Sequence, residues 1–177
     1  SGAGISSAAM NTLVNGLAYR NTSQDPTAGA RVVTLTRIDD SGSNTAPNDN
    51  TAALALASTV TVVAVNDQPT LTATSANPTY TEDGAAVSVF SAAAAGTVET
   101  GQTLTRLDLT VTNVVNGAAE QLTADGTTFS LTNGASGTTA TNAMTYSVSV
   151  VGSTATVSLT SGAGISSAAM NTLVNGL

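Results

Sequence analysis

The groups on this chain that could do chemistry are carboxylates and side-chain amides. Its acids gather where turns would fall, at Asp39-Asp40, Asp49, Asp67 and Glu82-Asp83, with Asn66 beside Asp67. Lys, His and Cys are absent. Without an imidazole, a thiol or an amine there is neither the usual general base nor an activated nucleophile. Adjacent carboxylates such as Glu82-Asp83 on a strand project to opposite faces, which spoils them as a paired acid and base. The chain is therefore read as not an enzyme. What such oxygens can do is hold calcium, which takes roughly six to eight oxygens from carboxylates, amides, backbone carbonyls and water. The competing reading makes them solvated turn residues, because Asp and Asn favour turns by bonding their own backbone. Asp25, Asp108, Glu120 and Asp125 are read that way, as surface or turn residues. Asn21-Thr22-Ser23 matches a glycosylation acceptor but is too short to outweigh a plain loop, and the stretch SGAGISS lacks the Lys and spacing of a phosphate loop.

Composition narrows the partners. A net charge of −7, with four Arg and no Lys, offers no basic patch, so nucleic acid is a poor partner. No apolar run approaches the roughly 20 residues of a membrane span, so no membrane insertion is expected. Charged residues make up only 8% and hydrophobic ones 41%, mostly Ala, Val and Leu, with three Tyr and two Phe as the aromatics. No leader is recognisable, as expected of a stretch taken from within a longer array.

The elements that must position these groups are strands. Ser58–Val65, Leu107–Val114, Thr145–Val150 and Thr154–Leu159 alternate small polar with apolar residues, the period of a half-buried antiparallel strand. Arg31–Ile38 and Thr127–Thr132 read alike. Asn116-Gly117, Asp125-Gly126, Asn133-Gly134 and Gly152-Ser153 punctuate them as turns. Many short strands between Gly-containing turns predict an all-β antiparallel sandwich.

One segment breaks the pattern and returns. Residues 1–17, SGAGISSAAMNTLVNGL, recur unchanged as residues 161–177, a period of 160. Ile5, Ala9, Leu13 and Leu17 fall four apart, Ser6 or Ser7 can cap the start, and Gly16 stands where a helix ends. This predicts a short helix crossing between the sheets, with Tyr19 beyond it pointing inward, either as a sandwich-corner tyrosine or as a plain core residue. An identity of this length predicts a window cut from a tandem array. Val65–Ala73 is the best boundary, because Pro69 keeps an amide out of the ladder. Residues 1–67 are then the C-terminal part of one repeat and residues 68–177 the N-terminal part of the next, with neighbouring copies following head to tail. Strand ends collect at the poles of a sandwich, so Asn66 and Asp67 belong at the pole facing the next domain. Asp39, Asp40 and Asp49 cluster in the loop at 39–52. Like charges meeting at a junction would repel unless a cation bridged them.

The stretch from Thr34 through Thr70, with its acidic loop, Thr/Val strand and Val65-Asn66-Asp67 exit, resembles the last two strands and linker of cadherin-like repeats. Together with Thr81-Glu82-Asp83-Gly84 and the stretch TVETGQTLTRLDLTVTN, it makes the chain similar along nearly all its length to Ig-like extender repeats of giant RTX-type bacterial adhesins. That resemblance implies an extracellular spacer or cohesive role, export by type I secretion, and Ca2+ at domain junctions. It adds Glu82 and Glu99 to Asp39, Asp40, Asn66 and Asp67 as candidate metal ligands. Two other functions remain open: a carbohydrate- or ice-binding module using a Thr-rich face, and a filament subunit that assembles by strand complementation.

Overall fold

The computed structural model describes residues 4–177, so the first three residues of the repeated segment lie outside the described part. In chain order the elements are α1 (Ser7–Asn15), β1 (Gly29–Asp39), β2 (Thr51–Val62), β3 (Thr70–Ser75), β4 (Phe90–Gly96), β5 (Leu104–Val111), β6 (Gln121–Ala124), β7 (Thr127–Ser130), β8 (Ser136–Thr138), β9 (Thr145–Val151), β10 (Thr154–Ile165) and α2 (Ser167–Asn175). The fold is mostly antiparallel β with two short helices. It divides into two compact units, Ser1–Val65 and Asn66–Leu177, a break two residues earlier than the one read from the sequence.

Unit 2 holds the core. Its largest sheet runs β5-β10-β9-β8, and two-stranded sheets β3-β4 and β6-β7 accompany it. Along β10 the alternation works as written: Ala155, Val157 and Leu159 are buried while Thr156 is exposed. Val148 of β9, Phe129 of β7, Met144, Leu131 and the apolar face of α2 close around them. Tyr146 lies over Gly137, where a Cβ would stand 2.9 Å from its ring, and stacks on Phe129 at 4.2 Å between centroids. Both readings of a tight hairpin at Asp125-Gly126 and Gly152-Ser153 agree with the register, in which Ala124 faces Thr127 and Val151 faces Thr154.

Two other expected hairpins are not there. After β5 the chain enters a single 3-10 turn at Gly117–Ala119, because the Glu120 carboxylate draws in the amides of Val115 and Asn116, each at 2.7 Å. Asn133-Gly134 turns the chain without pairing β7 to β8; Asn133 Oδ1 and the Gly134 N–H both bond to β9 instead.

Unit 1 is the hairpin β1–β2 preceded by α1. Val62 is its only buried apolar side chain among the described residues, whereas Val32, Val33 and Leu56 are exposed. Tyr19, expected to point inward, is 41% exposed.

Candidate functional site

Residues 6–16 form the same capped helix as residues 166–176, whereas Gly4 and Ile5 lie in no strand and their counterparts Gly164 and Ile165 end β10. Ser6 and Ser166 each accept a hydrogen bond from the third following amide, at 3.2 and 3.1 Å, and Gly16 and Gly176 end the helices. The surroundings differ. In unit 2, α2 does not cross between sheets; it lies along β4 and closes that strand's outer edge. Asn171 Oδ1 accepts the Ala95 N–H at 2.6 Å, Asn175 Oδ1 accepts the Ala93 N–H at 2.8 Å, and the Leu177 carbonyl accepts the Val89 N–H at 2.7 Å. An exposed sheet edge is a pairing hazard, and here a helix covers it. Met170, Leu173, Val174 and Leu177 are buried beneath. Asn spaced by one helical turn, at 11 and 15 as at 171 and 175, was the signal in the sequence for this role, although the apolar spacing alone drew the eye.

The predicted ligands are described unit by unit, Asp39 and Asp40 belonging to unit 1 and Asn66, Asp67, Glu82 and Glu99 to unit 2. Asn66, Asp67 and Glu99 come together at the entry to unit 2. The Asp67 amide donates to Glu99 Oε1, Asn66 Nδ2 donates to the Asp67 carbonyl at 3.0 Å, and Gln102 Nε2 donates to Asn66 Oδ1 at 2.6 Å. Glu99 Oε2 is buried with no hydrogen-bond partner. A buried carboxylate oxygen left unpaired carries a desolvation cost that a cation would offset. The Glu99 carboxylate, the Asn66 amide oxygen and the Asp67 carbonyl lie in this network, oxygens of the hard kind that calcium takes. Gln102 was missed from the sequence because its role depends on a partner 36 positions away.

Asp39 and Asp40 stand in unit 1, on one open cleft with Asp49, Asn50, Met10 and Asn11. Each carboxylate already has work. Asp39 pairs with Arg37 Nε at 2.6 Å, and that hydrogen bond holds its carboxyl below the usual range. Asp40 Oδ1 accepts the Gly42 amide at 2.7 Å and Asp49 Oδ1 the Thr51 amide at 2.9 Å. Glu82 is exposed on the Thr81–Gly84 turn, which the Gly84 N–H closes onto the Thr81 carbonyl at 2.9 Å. Among the described residues no three acidic side chains converge in a metal-binding group.

A further carboxylate is not the surface group the sequence suggested. Asp125 is buried, accepting from Thr139 Oγ1 at 2.5 Å, the Asn142 amide at 2.9 Å and Asn142 Nδ2 at 2.6 Å. With its acceptor sites filled by the 139–142 loop, it reads as a structural anchor. Among the described residues no helix is long and apolar enough to cross a membrane. No family model matches the chain, and no curated protein or solved structure shows significant similarity to it.

Proposed function

We propose that this chain is a stretch of a structural extender, an Ig-like or cadherin-like tandem repeat that holds a bacterial surface adhesin or fibre at length. The observation that carries the reading is the seventeen-residue identity between 1–17 and 161–177, at a spacing of 160 residues. A repeat whose helix is finished only by strands lying before it in sequence is a unit suited to serial joining. A segment recurring unchanged at a domain-length spacing favours serial length over a single tuned site. The role is non-catalytic and extracellular, its partners are neighbouring copies head to tail, and any ligand of the tip lies in another segment.

Calcium at the junction is the second part of the proposal, resting on the unpaired Glu99 Oε2 beside Asn66 and Asp67. Asp39 and Asp40, bonded to Arg37 and to the Gly42 amide, and Glu82, exposed on a turn, are not needed for this part of the proposal. Calorimetric titration of calcium into the full chain tests this. Binding that is lost in Glu99→Gln and Asp67→Ala and kept in Asp39→Ala supports the site; equal binding in all four proteins refutes it.

A further inference from the structure

Asparagine is followed by glycine at residues 15, 116, 133 and 175. Such a pair can react with itself, because a glycine nitrogen with no Cβ beside it can attack the preceding side-chain carbonyl. A folded chain permits this only where the glycine N–H is not tied to an acceptor and the asparagine amide is free to swing. Gly134 donates to the Val148 carbonyl at 2.9 Å, while Asn133 Oδ1 accepts the Val150 N–H at 3.0 Å. Gly176 donates to the Thr172 and Leu173 carbonyls at 3.1 Å, while Asn175 Oδ1 accepts the Ala93 N–H at 2.8 Å. Gly16 donates to the Thr12 carbonyl at 3.0 Å.

Asn116-Gly117 differs on both counts. The Asn116 side chain makes no capping hydrogen bond. Gly117 opens the 3-10 turn, where a first N–H has no acceptor within the turn, and it donates to no other backbone group among the described residues. A Cβ placed on Gly117 would meet nothing within 4 Å, so there is room for a ring to close. The turn is also lightly held. Its bonds from the Ala119 N–H to the Asn116 carbonyl and from the Glu120 N–H to the Gly117 carbonyl each span 3.2 Å, at the long end of the range.

We propose that Asn116 is a self-modification site, at which the Gly117 nitrogen closes on the side-chain carbonyl and converts the amide to a carboxylate. The bond that forms joins Gly117 N to Asn116 Cγ. The bond that breaks is Cγ–Nδ2, and the Gly117 amide proton leaves with Nδ2 as ammonia. Water, the only co-reactant, then opens the cyclic imide. Cleavage of its N–Cγ bond gives aspartate, and cleavage of its bond to the main-chain carbonyl carbon gives isoaspartate. Either product adds a negative charge to the turn held by Glu120, whose Oε1 accepts the Val115 and Asn116 amides at 2.7 Å each. Isoaspartate also lengthens the main chain there. The reaction needs neither calcium nor a neighbouring copy, so it stands or falls apart from the proposed function.

The test is incubation of the full chain at mildly alkaline pH with chelator, followed by peptide mapping by mass spectrometry that separates aspartate from isoaspartate. Replacement of NH by O is expected at Asn116 at least about tenfold faster than at Asn133 or Asn175, which must first break hydrogen bonds. In urea the three sites should converge, since each is then an unrestrained Asn-Gly pair. Asn116→Gln, whose longer side chain would have to close a larger ring, is expected to keep its amide while Asn133 and Asn175 behave as in the wild type. An Asn116 that stays intact in the folded chain, equal rates at the three sites there, or a lead for Asn116 that persists unchanged in urea overturns the proposal.

Discussion

Leu13 and Leu173 occupy the same place in the same nonapeptide helix, yet Leu173 is 2% exposed and Leu13 is 54% exposed. Truncating each to Ala isolates tertiary packing from helix propensity, since the local sequence change is identical. At Leu173 the change removes a side chain packed in the core with Met170 and Val174, where large-to-small substitutions cost about 2–5 kcal/mol. Its near-complete burial places it near the middle of that range, about 3 kcal/mol. For a unit of about a hundred residues this corresponds to a fall in Tm of roughly 12 °C. At Leu13 no core is lost, and Ala is the better helix former, so the change should stay within about 0.5 kcal/mol of zero. Urea unfolding followed by far-ultraviolet circular dichroism, with protein kept dilute to hold it monomeric, reads both values. Equal losses in the two variants would refute the claim that the two copies sit in different environments.

Three further outcomes follow from the same geometry. Asp125→Ala strips the acceptor from three donors of the 139–142 loop and should destabilise unit 2 by about 2–4 kcal/mol in urea unfolding, with Asp125→Asn losing less. Gly164→Ala should be strongly destabilising, because Gly164 has φ +72° and a Cβ there would collide with the Thr103 side chain; its repeat counterpart Gly4, with open space around it, should accept Ala with little change in Tm. Bonding by the Arg106 guanidinium, and then by Ser158, holds the Asp108 carboxyl below the usual range, so its stabilisation is present at neutral pH and lost as pH falls through the depressed folded value. Both side chains are largely exposed, so Asp108→Asn should change stability by no more than about 0.5 kcal/mol at neutral pH and still less in acid, while nuclear magnetic resonance titration of Asp108 should show the low midpoint directly.

What the sequence made legible was local. The period of Ala155, Val157 and Leu159, the Asp125-Gly126 turn and the Ser-capped, Gly-ended helix each follow from residues within a few positions of one another. What stayed hidden depends on distant partners. Identical letters at 13 and 173 cannot reveal opposite burial, because the difference lies in strands 77 or more positions before Leu173. Asp125-Gly126 announces a turn without announcing that the carboxylate is buried by Thr139 and Asn142. Asn116-Gly117 is a local exception: Glu120, four positions on, holds the Asn116 amide, and the chain takes a 3-10 turn in place of a hairpin. Of the proposed ligands, Asn66 and Asp67 were visible in the sequence, but their contact with Glu99 spans 32 positions.

The central claim is that this chain serves as a rod segment with a calcium-stiffened joint at Asn66, Asp67 and Glu99. Small-angle scattering from a covalent tandem of four 160-residue repeats, in calcium and then in chelator, tests it most directly. An extended particle in calcium that shortens on average in chelator, with its circular dichroism unchanged, is the predicted result. A compact globule in both conditions would contradict the rod, and an extended particle with the same profile in both would contradict the calcium joint.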